Sequence, residues 1–232
     1  DELEHISFRV ERGQTLAIIG ATGSGKTTLA SLIPRFYDAT AGTVLVDGLD
    51  VREYTFDALY NKLGYVTQKA VLFSGTVEDN VFFGQSAAEK TDASLQAALS
   101  LSQAAEFVDK YPEKAAHPIA QLGRNVSGGQ KQRVAIARTL APSPKVLFMD
   151  EPLSNLDAKL RQEMRTELKR LHSDTNSTFV YVTHDQLEAM TLSTKVCLMD
   201  TGVLQQYAPP LEIYGHPANL FVAEFVGNPT MN

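Results

Sequence analysis

Residues 20–27 are the feature of this sequence that most restricts its fold and its ligands. They match the phosphate-binding pattern G-x-x-x-x-G-K-[ST]. Glycines let the backbone wrap a phosphate chain with its N–H groups pointing inward. In such a loop Lys26 reaches the β- and γ-phosphates, and the Thr27 hydroxyl binds Mg²⁺. The residues expected to bind the nucleotide phosphates are Gly20, Ala21, Thr22, Gly23, Ser24, Gly25, Lys26, Thr27 and Thr28.

The residues around this loop predict an α/β fold. An apolar run at 15–19 predicts a buried strand before the loop, and a helical pattern over 26–36 places a helix N-terminus under the phosphates. Further apolar runs of the buried parallel-strand type lie at 145–149, 178–182 and 196–199. Apolar strands that alternate with helices indicate a mainly parallel sheet.

Other segments add a small β part and helices to this core. Strands are predicted at 42–48 and 62–66, and residues 76–144 look like a helical insertion with a helix over 128–140. A further helix is predicted over 157–171. Its apolar face consists of Leu156, Leu160, Met164, Leu168 and Leu171. Its charged residues Lys159, Arg161, Glu163, Arg165 and Glu167 are predicted to face water.

Composition and charge exclude several classes of protein. Hydrophobic residues make up 44% of the 232 residues, as in ordinary globular proteins. No apolar run approaches the length of a membrane span. The formal net charge of −6 argues against a protein that mainly binds nucleic acid. Cys197 is the single cysteine and lies in an apolar run, which predicts a buried thiol in a reducing compartment.

Asp150 and Glu151 follow the apolar run at 145–149 and predict the second half of a nucleotide site. An acid at the C-terminal end of a buried strand can hold Mg²⁺ directly or through water. The next acid, Glu151, is placed to polarise a water for attack on the γ-phosphate. Adjacent acids at a strand end are also common as plain turn residues, so the assignment depends on the phosphate loop.

Ser127, Gly128, Gly129 and Gln130 open the helix predicted at 128–140. A hydroxyl and free backbone N–H groups at a helix start form an anion site. The alternative is an ordinary capped helix start. Because one phosphate loop is already present, a second phosphate-contacting loop is expected to face a nucleotide on another chain.

Taken together, these motifs resemble the nucleotide-binding domain of an ABC transporter ATPase. The resemblance covers essentially the whole chain, and the motifs stand in the order of that family. They are the phosphate loop at 20–27, Gln68, the signature Ser127–Gln130, Asp150 with Glu151, the segment 154–157 and His184. The resemblance implies a P-loop NTPase fold with a RecA-like core at 1–68 and 145–232. It implies a helical subdomain at about 69–144, all within one domain.

The resemblance also implies roles for single residues. Gln68 would contact Mg²⁺ or the attacking water and couple the site to a membrane partner; otherwise it is a surface residue at a strand end. His184 would contact the γ-phosphate, whereas a lone histidine is usually structural. Asp157 would link the two sites of a dimer, which is compatible with a helix-capping role. Thr27, Gln68 and Asp150 are the expected Mg²⁺ ligands, and Lys26, Gln68, Glu151 and His184 the expected catalytic residues.

The implied partners are ATP, Mg²⁺, a second ABC domain and a transmembrane permease, with no nucleic acid. In this family two domains enclose two ATP molecules, and each site combines the phosphate loop of one chain with the signature of the other. The implied location is cytoplasmic, peripheral at the inner face of the membrane. The Gln68-to-helical-insertion surface is the expected docking site for the permease.

The sequence departs from the family pattern before the phosphate loop. Family members carry an aromatic residue, on which adenine stacks, about two dozen residues before the loop. Here 19 residues precede Gly20, and none of them is Tyr or Trp. Phe8 matches a strand residue, not the stacking position. Because base stacking is worth ~1–3 kcal/mol in other systems, nucleotide binding is expected to be weaker by about ten-fold or more.

The two halves resemble different branches of the family. Segments 33–38 and 64–76 resemble multidrug and peptide exporters, whereas segments 151–161 and 183–190 resemble sugar-type importers, with a join around 125–140. This suggests a recombinant or designed chimera; a natural mosaic subfamily is the alternative. The importer-like tail ends at Met231 and Asn232, so the regulatory domain of such importers is expected to be absent.

The sequence therefore predicts a Mg-ATP-dependent ATPase subunit of an ABC-type transporter. One alternative is a hybrid domain that binds nucleotide, hydrolyses little and has no transport partner. Another is a soluble ABC-type ATPase that acts on DNA or ribosomes. Proteins of that kind usually carry coiled-coil insertions, tandem domains or basic arms, which this sequence lacks.

Overall fold

The computed structural model describes residues 3–85, 90–154, 156–175 and 177–227, without the side chain of Leu160. Predictions that fall on Asn155, on the Leu160 side chain or on Met231 and Asn232 lie outside this part. None of the helices in the described part of the chain combines the length and the apolar character that crossing a membrane requires.

A mixed, mainly parallel sheet forms the centre of the described structure. Its strands, in spatial order, are β10 (Val203–Ala208), β9 (Lys195–Asp200), β1 (Thr15–Gly20), β8 (Thr178–Thr183), β7 (Val146–Asp150) and β4 (Leu63–Val66). All neighbours pair in parallel except β10, which pairs antiparallel with β9. This confirms the predicted α/β fold with a mainly parallel sheet. The antiparallel edge strand β10 was not predicted.

The apolar strands are continuous because both faces of the sheet are covered. In β1, Leu16 and Ile18 pack on one side with Val180 and Cys197. Ala17 and Ile19 pack on the other side in a cluster that includes Leu198 and Ile213. Alternate residues of a strand point to opposite faces, so a strand buried on both faces must be apolar throughout. The predicted burial of Cys197 is confirmed, and that burial raises the pKa of its thiol to about 12.

The helices in the described residues follow the strands along the chain. They are α1 (Lys26–Leu32), α2 (Phe56–Tyr60), α3 (Val77–Val81), α4 (Asp92–Leu101), α5 (Ala105–Val108), α6 (Gly128–Leu140), α7 (Ala158–Thr175), α8 (Gln186–Leu192), α9 (Pro210–Gly215) and α10 (Leu220–Gly227). Short 3₁₀ turns lie at Val51–Glu53, Lys114–Ala116 and Gln121–Gly123. The helix predicted over 128–140 is confirmed at both ends by α6.

Helices α3 to α6 have a hydrophobic cluster of their own. Leu72, Val81, Leu99, Phe107 and Val134 are buried together in it. The helical insertion predicted at 76–144 consists of α3, α4, α5 and α6, with short turns and strands between them. Helices α3 and α4 begin at threonine caps, Thr76 and Thr91, whose side chains accept the backbone N–H three residues ahead.

Two short antiparallel ribbons complete the described structure. They pair β2 (Leu45–Val46) with β3 (Leu49–Asp50), and β5 (Gly75–Thr76) with β6 (Pro118–Ile119). The strand predicted over 42–48 was therefore too long, because the chain turns at Asp47 and Gly48. Both residues have positive φ, 52° and 82°, as a tight hairpin between antiparallel strands requires.

The predicted exposure of all charged residues on α7 was wrong for Arg165. Its side chain is only 14% exposed and donates to Asp185 Oδ2 at 2.8 Å. Helical periodicity placed Arg165 on the polar side of α7, but α8 packs against that part of the helix. The apolar face was predicted correctly, since Leu156, Met164, Leu168 and Leu171 are buried.

Gly64 provides a test of how tightly β4 packs against α6. A Cβ atom at this buried position would lie 2.6 Å from Thr139 Cγ2 and 2.9 Å from Leu147 Cδ1. Gly64→Ala is therefore expected to lower the free energy of unfolding by ~1–3 kcal/mol, because the well-packed neighbours must move. Urea unfolding followed by circular dichroism measures the change.

Gly215→Ala is the matched control, since a Cβ at this helical position meets no atom within 4 Å. It is expected to leave stability unchanged or slightly higher, because alanine favours helix. Equal effects of the two substitutions would contradict the close packing at Gly64.

Candidate nucleotide site

The predicted phosphate loop lies between the end of β1 and the start of α1, directly against β9. A Cβ at Gly20 would lie 2.2 Å from the Met199 carbonyl oxygen, so only glycine fits where the chain leaves the strand. Gly25 precedes α1 with a φ of 91°, a left-handed conformation that glycine adopts at no steric cost. These two glycines shape a loop whose backbone leads into a helix N-terminus, where anions bind.

Lys26 is held inside this loop. Its ammonium group donates to the carbonyl oxygens of Gly20 at 2.9 Å and Ala21 at 2.7 Å. The residue is 6% exposed. Burial lowers the pKa of Lys26, and the carboxylates of Glu151 and Asp150 act in the opposite direction. The loop carbonyls thus hold a cation whose charged form is favoured by the two acids at the end of β7.

Asp150 is the last residue of β7 and lies near the phosphate loop. The hydroxyls of Thr27 and Tyr65 lie close enough to its carboxylate to favour the ionised form. Burial, followed by the charge of Glu151, raises the pKa of Asp150, while these hydroxyls and Lys26 oppose the increase. The structure thus brings together Thr27 and Asp150, two of the three predicted Mg²⁺ ligands.

The donor set at this position fits Mg²⁺. This ion is usually bound through one or two carboxylates together with substrate phosphates and waters. Thr27 and Asp150 supply a hydroxyl and a carboxylate that lie close together. Within the described residues, no group of three or more His, Cys, Asp or Glu side chains could hold a metal ion by itself. A site completed by phosphate oxygens agrees with both observations.

Glu151 lies at the centre of the predicted catalytic residues. Gln68 Nε2 donates to its Oε2 at 2.7 Å, and His184 Nδ1 lies 3.1 Å from its Oε1. Its backbone N–H donates to the Val182 carbonyl at 2.8 Å. Its φ of 45° is unusual for a residue other than glycine and is retained where surrounding bonds fix the backbone. The carboxylate is thereby held between two polar side chains.

The strand order explains why these three residues meet. Strands β4, β7 and β8 are adjacent and parallel, with Val66 paired to Met149 and Asp150 paired to Val182. Gln68, Glu151 and His184 each follow the end of one of these strands by one or two positions. Gln68 and His184, which lie 83 and 33 positions from Glu151 in the chain, therefore both contact its carboxylate.

Ser127–Gln130 lies elsewhere in the chain, at the start of α6. Ser127 Oγ accepts the Gln130 N–H at 3.2 Å, and the Ser127 N–H donates to Gln130 Oε1 at 2.8 Å. This reciprocal pair is a capping box. In the described part of the chain, no hydrogen bond of these residues reaches the phosphate loop. The capped helix start is thus present, and a phosphate role would require a nucleotide from outside this chain.

Asp157 and Phe8 also occupy defined positions in the structure. Asp157 is exposed at the start of α7, where its carbonyl accepts the Arg161 N–H at 2.8 Å. The Phe8 ring stacks on Tyr207 with centroids 5.4 Å apart. Phe8 thus packs beside β10, but it does not lie in a strand as the sequence predicted.

The sequence interpretation missed a group of residues next to His184. Glu188 is buried, and its carboxylate accepts the Thr183 hydroxyl at 2.8 Å. The spacing of Asp185 and Glu188 at a helix start was a usable signal, since it has the form of a capping box. Asp185 does cap α8, but Glu188 points inward to Thr183 and Arg165.

Comparisons with known proteins agree on one family. The family model described as ABC transporter matches residues 3–154. The maltose/maltodextrin import ATP-binding protein MalK of Photorhabdus laumondii is 39% identical over 230 residues, which cover 99% of this chain and 60% of that protein. MalK of Yersinia pestis is 40% identical over 228 residues, covering 98% of this chain and 59% of that protein. The chain spans about three fifths of the length of these curated relatives.

A solved structure shows the same similarity in three dimensions. It is that of a bacterial Atm1-family ABC exporter with ATP bound, which aligns with a TM-score of 0.86 and 33% sequence identity. The alignment covers 97% of this chain and 38% of the exporter chain.

Lys26→Met tests whether the loop binds phosphate. The substitution removes the ammonium group that is held at the loop carbonyls. ATP affinity is expected to fall by about ten-fold or more, because a charge-assisted contact with phosphate is lost. Equilibrium titration with a fluorescent ATP analogue measures this. Lys110→Met is the control, because Lys110 is an exposed lysine in the turn after α5. This variant should bind the ATP analogue with the affinity of the unmodified protein. Unchanged affinity of Lys26→Met would contradict a phosphate-binding loop.

Proposed function

The chain belongs to the ABC transporter family of ATPase domains, and we propose that it binds Mg-ATP and hydrolyses it to ADP and phosphate to power a membrane permease. The observation that carries the proposal is the position of Glu151, between Gln68 and His184 and beside a phosphate loop. These groups are those needed to orient a water against a γ-phosphate. Hydrolysis of this kind depends on positioning and charge stabilisation.

Each residue of the site has a role in this reaction. The N–H groups of the loop and the Lys26 ammonium bind the β- and γ-phosphates, and Thr27 and Asp150, with Gln68, would hold Mg²⁺. Mg²⁺ held by these residues would neutralise the charge that develops on the phosphates. Glu151 accepts the proton of the attacking water. Gln68 and His184 keep the Glu151 carboxylate in place, while its remaining lone pairs stay available for the water.

The signature at Ser127–Gln130 supports a site made by two chains. Helix α6 has 13 residues, and its first N–H groups are those that a helix leaves without intrahelical partners. We therefore propose that the chain pairs with a second ABC domain, so that each phosphate loop faces the signature of the partner. In this arrangement the core at 1–68 and 145–232 binds the nucleotide, and the helical part at about 69–144 presents the signature.

A permease partner and a peripheral place at the cytoplasmic face of the membrane are part of the same proposal. The relatives named above are import proteins, and the similar solved structure is an exporter. The surface from Gln68 to the helical part is the proposed docking site. It carries the exposed, stacked rings of Phe73 and Phe83, whose centroids are 4.3 Å apart.

The steady-state Mg-ATPase rate, measured against protein concentration, tests the enzyme. The rate per chain is expected to rise with concentration, because a composite site forms only on pairing. Glu151→Gln is expected to lose the activity and to keep nucleotide binding, since the amide cannot accept the proton from water. A flat rate no higher than that of Glu151→Gln, with ATP still bound, would instead identify a nucleotide-binding domain without useful turnover.

A mixing experiment tests the two-chain site directly. Gly128→Asp places a carboxylate where a Cβ meets no atom within 4 Å, and acids at a helix start are favourable, so the fold is expected to persist. Hydrolysis should nevertheless fall, because the new charge repels phosphate. Gly128→Ala, which adds no charge, is the control and should stay active.

Inactive Lys26→Met and Gly128→Asp chains are then combined. Mixed pairs contain one intact site, made from the loop of one chain and the signature of the other. Activity above the sum of the separate samples is the expected result. An activity equal to that sum would contradict a site shared between chains.

A further inference from the structure

His184 is held in place mainly by its neighbours in the chain. Its side chain is 61% exposed, and one contact with Glu151, at 3.1 Å, connects it to the site. An exposed ring at a strand end is free to take other orientations unless its backbone is fixed. The residues on either side, Thr183 and Asp185, provide this restraint.

The hydrogen bonds of the Thr183 hydroxyl restrain the backbone around His184. It accepts the Asp185 N–H at 3.0 Å and donates to Glu188 Oε2 at 2.8 Å. The Asp185 carboxylate in turn accepts the Glu188 N–H at 3.0 Å. Hydrogen bonds among Thr183, Asp185 and Glu188 therefore restrain the peptide units on both sides of His184, and both Thr183 and Glu188 are buried.

Arg165 connects these hydrogen-bonded residues to α7. One of its terminal nitrogens, Nη2, donates to Asp185 Oδ2 at 2.8 Å and to Glu188 Oε1 at 3.4 Å. The side chains of Arg165 and Glu188 are 14% and 8% exposed. Helix α7 begins shortly after Glu151. Through Arg165, the same helix also restrains the segment that carries His184.

Stability alone is a weak reason for this cluster. A half-buried arginine and two carboxylates lose free energy of hydration on folding, and their mutual attraction only partly compensates for this loss. Apolar side chains of similar size often give a more stable protein. Arg165 Nε is buried without a hydrogen-bond partner among the described residues, which adds to the cost. Burial also raises the pKa of Glu188, against the hydrogen bonds from Thr183 and Arg165. The cluster does supply a fixed orientation.

We propose that Glu188 and Arg165 are positioning residues that hold His184 against Glu151 through Thr183 and Asp185. The proposal rests on the proposed function, because its effect on turnover requires that the site hydrolyses ATP. Its structural part concerns only the orientation of His184 and can be measured without turnover.

Glu188→Gln is the first test. The amide keeps the size of the side chain, but its charge is lost and an N–H group competes with the guanidinium of Arg165. We expect kcat to fall by between about ten-fold and about a hundred-fold, as small misplacements of catalytic groups do. The ADP affinity, measured by fluorescence titration, should change less than about two-fold, since His184 is proposed to contact only the γ-phosphate.

Asp50→Asn is the matched control. Asp50 is likewise a buried carboxylate bonded to an arginine, with Oδ2 2.7 Å from Arg52 Nη2, but it lies in the small β part. Its loss is expected to lower stability and to leave kcat unchanged. Equal losses of kcat in Glu188→Gln and Asp50→Asn would overturn the proposal, because a general loss of stability would then explain both.

A double-mutant cycle separates positioning from a structural role. If Glu188 acts through His184, adding Glu188→Gln to His184→Ala should reduce kcat by less than about two-fold further. If Glu188 only stabilises the fold, it should cost the same factor in both backgrounds, and this result would overturn the proposal. Asp185→Asn provides a second variant if Glu188→Gln does not fold. Asparagine still caps α8 while the charge that binds Arg165 is removed.

Histidine ring resonances in the NMR spectrum provide a readout that needs no ATPase activity. The signals of His184 are assigned by their absence in His184→Ala. They should shift or broaden in Glu188→Gln, whereas those of His172, which bonds the Gly13 carbonyl at 2.8 Å, should not. Unchanged His184 signals would overturn the proposal. If the His184 signals change in Glu188→Gln but the unmodified protein has no ATPase activity, the positioning role is supported and the proposed function is rejected.

Discussion

Parallel pairing of the central strands is the constraint on which the site depends. Because β4, β7 and β8 run side by side in one direction, their carboxyl ends lie at the same edge of the sheet. Gln68, Glu151 and His184 follow these ends and meet within 3.1 Å. Strand β1, which pairs with β8, ends at the phosphate loop on the same edge. The register of the sheet thus sets the position of Glu151, the proposed base, relative to the phosphate loop.

Burial and neighbouring charges act in opposite directions on the ionisable groups at this edge. Burial lowers the pKa of Lys26, whereas Glu151 and Asp150 favour the ammonium form. Burial and the charge of Glu151 raise the pKa of Asp150, whereas the hydroxyls of Thr27 and Tyr65 together with Lys26 favour its carboxylate. An unpaired charge in a protein interior is costly, so neither charged group would be stable without the other. The charges of Lys26 and Asp150 are therefore mutually dependent.

Arg138 of α6 anchors the segment that follows Gln68 within the helical part of the chain. Its guanidinium donates to the Asn80 side chain at 2.8 Å and to the Val71 carbonyl at 3.0 Å. The segment that follows Gln68 and helix α6, which is capped by Ser127, consequently share an anchor.

Several features could be predicted from the sequence because they are local. The phosphate loop is a contiguous motif, the strands around it are apolar runs, and α6 has a cap at one end and prolines soon after the other. The acids after β7 could be assigned once the loop was known. Periodicity does not report which helix packs against a polar face, however, so the inward position of Arg165 and the burial of Glu188 were missed. The edge strand β10 was missed because its mixed, half-buried residues lack a strong pattern.

The sequence by itself thus determined the ligand class, the α/β architecture and the residues proposed to carry the chemistry, since each depends on neighbours in the chain. Only the tertiary structure decided that Glu151 contacts both Gln68 and His184 and that Thr27 and Asp150 lie close together. These contacts join residues tens of positions apart. They are set by strand order and by the burial of charge among distant partners, which no local pattern encodes.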